Sequence, residues 1–175
     1  MKALYLAVLM TALTGCAQHS QTTQTAAIAV SASDVIKNAK AHEWQTVSTQ
    51  NILKITLPTG SAYIKLNPEL APKHTAHIKE LAREGFYKDT SVYRFVEGFV
   101  AQGGDSSGNK KIQTANKTVP AEFYLETTQP LKITELKGDG YAPVTGFLNG
   151  FAVAQNQTHT QTWQVHCSGV FAMAR

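Results

Sequence analysis

Residues 93–105 read YRFVEGFVAQGGD, and this stretch carries the most specific pattern of residues in the chain. Its apolar residues are typical of a buried strand, yet a cation and an amide, Arg94 and Gln102, lie among them. The stretch offers aromatic walls but no obvious nucleophile. Taken alone, Arg94 could reach solvent along its stem or pair with Glu97 or Asp105, so its role stays open at this level.

The residues that precede this stretch predict a hairpin and a helix. Residues 53–57 alternate apolar and polar side chains, 58–60 are turn formers, and 61–66 supply a second strand. Pro72 and Gly85 then bracket KHTAHIKELARE, which is typical of a helix. We therefore expect an antiparallel hairpin followed by one amphipathic helix.

The run from Ala71 to Asp105 resembles the cyclophilin family of peptidyl-prolyl isomerases. It has the family's helix ending in glycine, a Phe-Tyr-Asp-like turn, a strand like Phe-His-Arg, and Gly-Phe-x-x-Gln-Gly-Gly-Asp. Weaker similarity continues at residues 119–123, like the family's Glu-Phe strand, and at 169–174, like its Gly-x-x-x-Met-Ala strand. The resemblance implies a mainly β protein, a cyclophilin-like antiparallel β-barrel with a flanking helix. Residues 138–168 resemble an insertion seen in a bacterial branch, and we assign them no role.

The same resemblance implies a peptidyl-prolyl cis-trans isomerase that uses no cofactor and no metal. Its catalytic residues would be Arg94, Phe99 and Gln102, and Val100 and Ala174 would contact the substrate. Arg94 would hydrogen-bond the prolyl peptide, Phe99 would form a wall of the proline pocket, and Gln102 would bind substrate backbone and steady Arg94. The substrates would be proline-containing unfolded or exported polypeptides.

One feature of this arrangement conflicts with strand geometry. If residues 93–105 form a single strand, Phe99 and Gln102 point to opposite faces, because side chains alternate. A shared pocket then requires a bulge or a strong twist, which the glycines at 98, 103 and 104 allow.

Three positions differ from the family pattern, and the chain ends early in it. Val100 replaces a methionine, Tyr93 a histidine, and Arg175 an asparagine. The family's closing strands and last pocket residues would follow Arg175. We therefore expect a domain whose C-terminal part is missing, from either a fragment or a decayed relative, with doubtful activity in this chain.

The first residues, MKALYLAVLMTALTGC, predict a lipoprotein signal peptide over residues 1–15. Leu13-Thr14-Gly15-Cys16 resembles a lipobox, so Cys16 is the expected lipidation site and the membrane anchor. Residues 16–33 predict a flexible tether, 34–50 a short helical lead-in capped by Ser33 or Asp34, and 51–175 the cyclophilin-like domain. Ala17 follows the lipidated cysteine in place of an aspartate. In a Gram-negative cell this favours the outer membrane, with the protein on its periplasmic face within the cell envelope.

The net charge, the histidines and Cys167 argue against several other classes of function. Removal of Lys2 with the signal lowers the formal charge from +4, which is too mild to indicate nucleic-acid binding. His74 and His77 lack a third ligand, so surface histidines are favoured over a metal site. Cys167 is expected to be a small buried residue, although a thiol hydrolase is a minor alternative. The main alternative is a lipoprotein that binds proline-containing peptides, or acts like a chaperone, without catalysis.

Overall fold

The computed structural model describes residues 30–174, and the chain divides into two compact units, Met1–Gln45 and Thr46–Arg175. In the first unit, α1 spans Ala32–Asn38 and a 3-10 turn spans Ala41–Glu43. Ser31 caps α1, because its Oγ accepts a hydrogen bond from the Asp34 amide. The prediction of Ser33 or Asp34 as the cap was therefore wrong, and α1 begins inside the predicted tether. The signal peptide, Cys16 and residues 16–29 lie outside the described residues.

The second unit is mainly β, which confirms the predicted fold class. After a 3-10 turn at Thr49–Asn51, its elements are β1 Ile52–Leu57, β2 Gly60–Lys65, α2 Pro72–Arg83, β3 Ser91–Val96, β4 Val100–Gly104, β5 Leu125–Glu126, β6 Thr134–Leu136, β7 Val144–Leu148, β8 Phe151–Gln155 and β9 Gln161–Gln164. They form the hairpins β1–β2 and β3–β4 and a five-stranded sheet ordered β5-β9-β8-β7-β6. Over residues 30–174 these sheets remain separate and do not close into one hydrogen-bonded barrel.

The first hairpin and α2 form where the sequence places them. β1 and β2 pair antiparallel from Ile52 opposite Lys65 to Leu57 opposite Gly60. The inner face of α2 buries Thr75, His77, Ile78 and Leu81. His77 is thus a buried residue, which corrects the expectation that both helix histidines lie on the surface.

The stretch at 93–105 forms a hairpin and not a single strand. The chain reverses between β3 and β4 through Glu97–Phe99, with Gly98 at a φ of +69° that suits glycine in a turn. Its apolar residues are not buried: Phe95 and Phe99 are 73% and 76% exposed. The prediction of buried sheet here was wrong, because the periodicity of a strand does not reveal whether a second layer covers it.

The five-stranded sheet contains the best-buried residues of the described chain. Residues 138–168 supply β7, β8 and β9, so the segment without an assigned role provides most of this sheet. Leu148 and Val153 pack with Leu70 in its core, supported by Leu125, Leu131, Ile133 and Phe151. The buried Gln155 amide donates to Leu131 O and to Thr162 Oγ1, both at 3.0 Å, which satisfies a polar group that would otherwise destabilise the core.

The two strand matches near the end of the family pattern and the predicted burial of Cys167 differ from the structure. Residues 119–123 and 169–174 contain no strand, so the matches to the Glu-Phe and Met-Ala strands of the resembled family do not correspond to paired strands here. Cys167 is exposed rather than buried. In the part of the chain from 30 to 174, no helix has the length and apolar character needed to cross a bilayer.

Candidate active site

The β3–β4 hairpin brings the three predicted catalytic residues together. Arg94 lies directly opposite Gln102 in the strand register, and its Nη1 donates to Gln102 Oε1 at 3.4 Å. The guanidinium carbon of Arg94 lies 5.8 Å from the centre of the Phe99 ring, within the range of a cation–π contact. The hairpin thus assembles a cation, an amide and an aromatic ring at its turn end.

The predicted substrate contact Val100 lies on the same face of the hairpin as Arg94. Residues two apart on a regular strand share a face, so Val100 and Gln102 of β4 match Val96 and Arg94 of β3. Val100 is half-buried. Ala174 is exposed in the irregular segment after β9, and its role stays a prediction.

The hairpin also removes the conflict with strand alternation. Phe99 lies in the turn, and Gln102 lies on the returning strand, so the two need not alternate along one strand. A register shift occurs in β3 between Val92 and Arg94, which identifies a bulge at Tyr93. The sequence analysis expected a bulge or strong twist between Phe99 and Gln102; the structure instead has a turn there, signalled by Gly98 after Glu97, and its bulge lies in β3.

The site is an open surface. Arg94 and Phe99 are exposed, and Gln102 is half-buried. Two cavities of about 140 and 250 Å³ lie elsewhere, one beside Phe86 and Lys110 and the other beside His77 and Pro120. A ligand of Arg94 would therefore meet an exposed guanidinium and ring rather than a deep pocket.

Asp105, one of the two acidic partners considered for Arg94, forms hydrogen bonds with the loop that follows it. Asp105 Oδ1 accepts hydrogen bonds from the amide and the hydroxyl of Ser107, and Oδ2 accepts from the Lys110 amide. These bonds, led by the Ser107 hydroxyl, lower the pKa of Asp105. Asp105 thus fixes the loop after the Gly-Gly motif, and the hydrogen-bond partner of Arg94 is Gln102.

Glu122 ties the segment after this loop to the first turn of α2. Its carboxylate accepts hydrogen bonds from the amides of Lys73 and His74, and from His74 Nδ1 at 2.7 Å. Burial is the largest single influence and raises the pKa of Glu122, but the bonds from His74 and Lys73 together outweigh it and lower the pKa. The sequence analysis missed this role, although an uncapped helix start at Pro72 is a signal that an external acceptor is needed.

The two histidines of α2 have different surroundings. His74 contacts Glu122, and His77 is buried in the packing face of the helix. No group of three or more histidine, cysteine, aspartate or glutamate side chains suited to a metal occurs among residues 30–174.

The sequence matches the model of a known protein family. The family model for cyclophilin type peptidyl-prolyl cis-trans isomerase/CLD matches residues 52–175. The chain therefore belongs to the cyclophilin-type peptidyl-prolyl isomerase family. Arg94, Phe99 and Gln102 all lie within the matched range.

Individual relatives agree with the family assignment. A probable peptidyl-prolyl cis-trans isomerase of Brucella suis biovar 1 is 45% identical over 56 residues, which are 32% of this chain and 29% of that protein. A peptidyl-prolyl cis-trans isomerase-like 2 of Aspergillus oryzae is 37% identical over 62 residues, 35% of this chain and 11% of that protein. The chain thus matches less than a third of the length of these relatives.

A solved structure shows the same fold. Cyclophilin AquaCyp293 from Hirschia baltica superposes with a TM-score of 0.63 at 29% identity, covering 78% of this chain and 59% of that one. The fold predicted from the residues around Arg94 is therefore confirmed.

Proposed function

We propose that the protein is a peptidyl-prolyl cis-trans isomerase acting on proline-containing polypeptides, with Arg94 as its central catalytic residue. The observation that supports the proposal is the hydrogen bond from Arg94 to Gln102, beside the Phe99 ring, inside a range matched to an isomerase family. Neither a nucleophile nor a metal is required, because the reaction only rotates one amide bond.

The chemistry follows from the electronic structure of the X-Pro bond. Rotation faces a barrier of about 18–20 kcal/mol because amide resonance is lost, and the nitrogen lone pair localises as the bond twists. A guanidinium that donates to this lone pair stabilises the twisted amide more than either planar isomer, and only such differential binding accelerates the reaction. Phe99 offers an apolar surface to the proline ring. Gln102 holds the guanidinium, since its Oε1 accepts from Nη1.

The test is the rate of cis-trans exchange in a proline tetrapeptide. Arg94→Ala should lower kcat/KM about 100-fold, because one preorganised charged donor is lost. Arg83→Ala is the matched control, since Arg83 is an exposed arginine at the end of α2. Equal rates for wild type and Arg94→Ala, above the uncatalysed rate, would contradict the role of Arg94. Absence of any acceleration by wild type would contradict the proposed activity itself.

A location in the cell envelope is the second part of the proposal. Lys2, the apolar run after it and Leu13-Thr14-Gly15-Cys16 support export and lipidation at Cys16, and Ala17 supports the periplasmic face of the outer membrane. Exported polypeptides would then be the substrates. Expression in a Gram-negative host should place the protein in the outer-membrane fraction, and Cys16→Ser should release it. An unchanged distribution would contradict the lipid anchor.

A non-catalytic role in binding proline-containing peptides, or as a chaperone, is the second candidate. The exposure of Phe95 and Phe99 favours it, because an open apolar surface can hold a peptide without enclosing it. Exchange NMR on a bound proline peptide separates the two functions. A binder shifts the peptide resonances but leaves the cis-trans exchange rate at its uncatalysed value.

A further inference from the structure

The bulge in β3 lies beside the Arg94–Gln102 pair. Val92 is opposite Gly103 and Arg94 is opposite Gln102, so Tyr93 is an extra residue in β3 between two consecutive partners in β4. A β-bulge of this kind changes the direction in which the following side chains point. Here the first residue after the bulge is Arg94.

The register shows what the bulge does to Arg94. Gln102 and Gly103 are neighbours on β4 and therefore belong to opposite faces of the hairpin. Val92 and Arg94 take the faces of their respective partners, although residues two apart on a regular strand would share one face. The bulge thus turns Arg94 onto the face of Gln102 and away from the face of Val92.

The two strands approach each other closely at Gly103. A Cβ added there would lie 3.1 Å from the Ser91 carbonyl oxygen and 3.5 Å from Val92 Cα, both of which are backbone atoms. A larger residue would therefore push β3 away from β4 by a few tenths of an ångström next to the bulge. The Arg94–Gln102 hydrogen bond is already 3.4 Å long, beyond the usual range of about 2.7–3.2 Å, so it would not survive such a shift.

We propose that Gly103 is a positioning residue that acts through Arg94, by permitting the bulge that aligns the guanidinium with Gln102. The kinetic part of this inference rests on the proposed isomerase function, but the alignment itself does not. As a glycine, Gly103 has no side chain with which to contact the substrate. Its effect is exerted entirely on the register and spacing of β3 and β4.

The kinetic experiment compares Gly103→Ala with Gly140→Ala in the full chain. A Cβ at Gly140 would meet nothing within 4 Å, so this variant makes the same chemical change in open space and should keep wild-type kinetics. Gly103→Ala should lower kcat/KM for a proline tetrapeptide roughly tenfold, mainly through kcat, as expected for loss of one hydrogen bond to a charged group. In a Gln102→Ala background, Gly103→Ala should cost less than about twofold more, because the bond it acts on is already absent.

A second measurement needs no turnover. The side-chain NMR signals of Arg94, assigned with Arg94→Ala, should shift in Gln102→Ala, and Gly103→Ala should reproduce that shift while Gly140→Ala does not. An inactive wild type would thus contradict the proposed function while this test still decides the role of Gly103. Unshifted Arg94 signals in Gly103→Ala, additive kinetic effects with Gln102→Ala, or unfolding of the whole chain by Gly103→Ala would each overturn the positioning role.

Discussion

The β3–β4 hairpin and the five-stranded sheet differ in how deeply their residues are buried. Every residue of β3 is exposed, whereas Val153 and Ala154 in β8 are 1% and 0% exposed. The glycine-rich motif around Gln102 lies in the exposed hairpin, and the least exposed residues lie in strands with no recognised motif. The comparison indicates that the candidate chemistry and the stability of the unit reside in different parts of the chain. Substitutions in the sheet should therefore affect folding, and substitutions in the hairpin should affect activity.

The strongest test of this division is Gly146→Ala in β7. A Cβ at this position would overlap the Thr134 carbonyl oxygen and lie 2.9 Å from Glu135 Cα, so β6 would have to move away. We expect the free energy of unfolding to fall by about 3 kcal/mol. Urea denaturation followed by circular dichroism measures this, with Gly140→Ala as the control. An unchanged midpoint would mean that β6 adds nothing to the stability of the sheet.

A direct comparison of the two regions is Val153→Ala against Phe95→Ala. Val153 is fully buried, so its truncation should lower the free energy of unfolding by about 2 kcal/mol through lost burial and a cavity. Phe95 is larger but 73% exposed, so its truncation should change that free energy by less than about 0.5 kcal/mol. The same denaturation experiment measures both. A larger loss for Phe95→Ala would show that another surface covers the hairpin.

A substitution of Glu122 probes the segment that joins the β3–β4 hairpin to the five-stranded sheet. Its carboxylate side chain is 10% exposed and accepts three hydrogen bonds, so Glu122→Gln should cost about 1.5 kcal/mol at neutral pH. Since the folded pKa of Glu122 is lowered, its contribution is present above the unfolded value near 4.5 and is lost as pH falls through the folded pKa.

The measurement for Glu122 is stability as a function of pH. The wild type should lose more stability than Glu122→Gln between neutral pH and pH 3, so the two curves should converge in acid. Glu126→Gln is the control, because Glu126 is exposed in β5. Parallel curves for wild type and Glu122→Gln would contradict the role assigned to the carboxylate.

The smallest expected effect concerns the link between the first hairpin and the sheet. Lys65 Nζ of β2 donates to Asn149 O at 2.6 Å and lies 4.4 Å from the centre of the Phe151 ring. Lys65→Met keeps the apolar stem and should cost about 0.5–1 kcal/mol. Thermal unfolding at low and high salt measures it. Lys54→Met is the control, because Lys54 contacts Tyr63 within its own hairpin. Equal effects would mean that the link to Asn149 contributes nothing.

The sequence pattern predicted those elements whose formation depends on residues that are close together in the chain. The β1–β2 hairpin follows from alternation and from the turn formers at 58–60, α2 follows from Pro72, and both elements are confirmed. The contact between Arg94 and Gln102 was also anticipated, but from family resemblance rather than from strand geometry. The hairpin turn at Gly98 was missed, because the apolar residues on both sides of it read as one continuous strand.

The five-stranded sheet could not be predicted from hydrophobic alternation. Its central strands bury threonine and glutamine, which a hydrophobicity pattern assigns to the surface; Gln155 and Thr162 are 1% and 0% exposed. Only tertiary hydrogen bonds make that burial tolerable. One usable signal was present, since Asn149-Gly150 is a strong hairpin sequence, and both residues have positive φ between β7 and β8.

The exposure of Arg94 has a consequence for how its charge acts. Dissolved ions screen a solvent-exposed cation over about 8 Å at physiological ionic strength, and water weakens its field even at contact. In the proposed reaction, a peptide bound on the hairpin would displace that water, so the substrate itself would create the low-dielectric surroundings in which the guanidinium is effective. Bulky neighbours of the proline would therefore assist the reaction by shielding, without touching the bond that rotates.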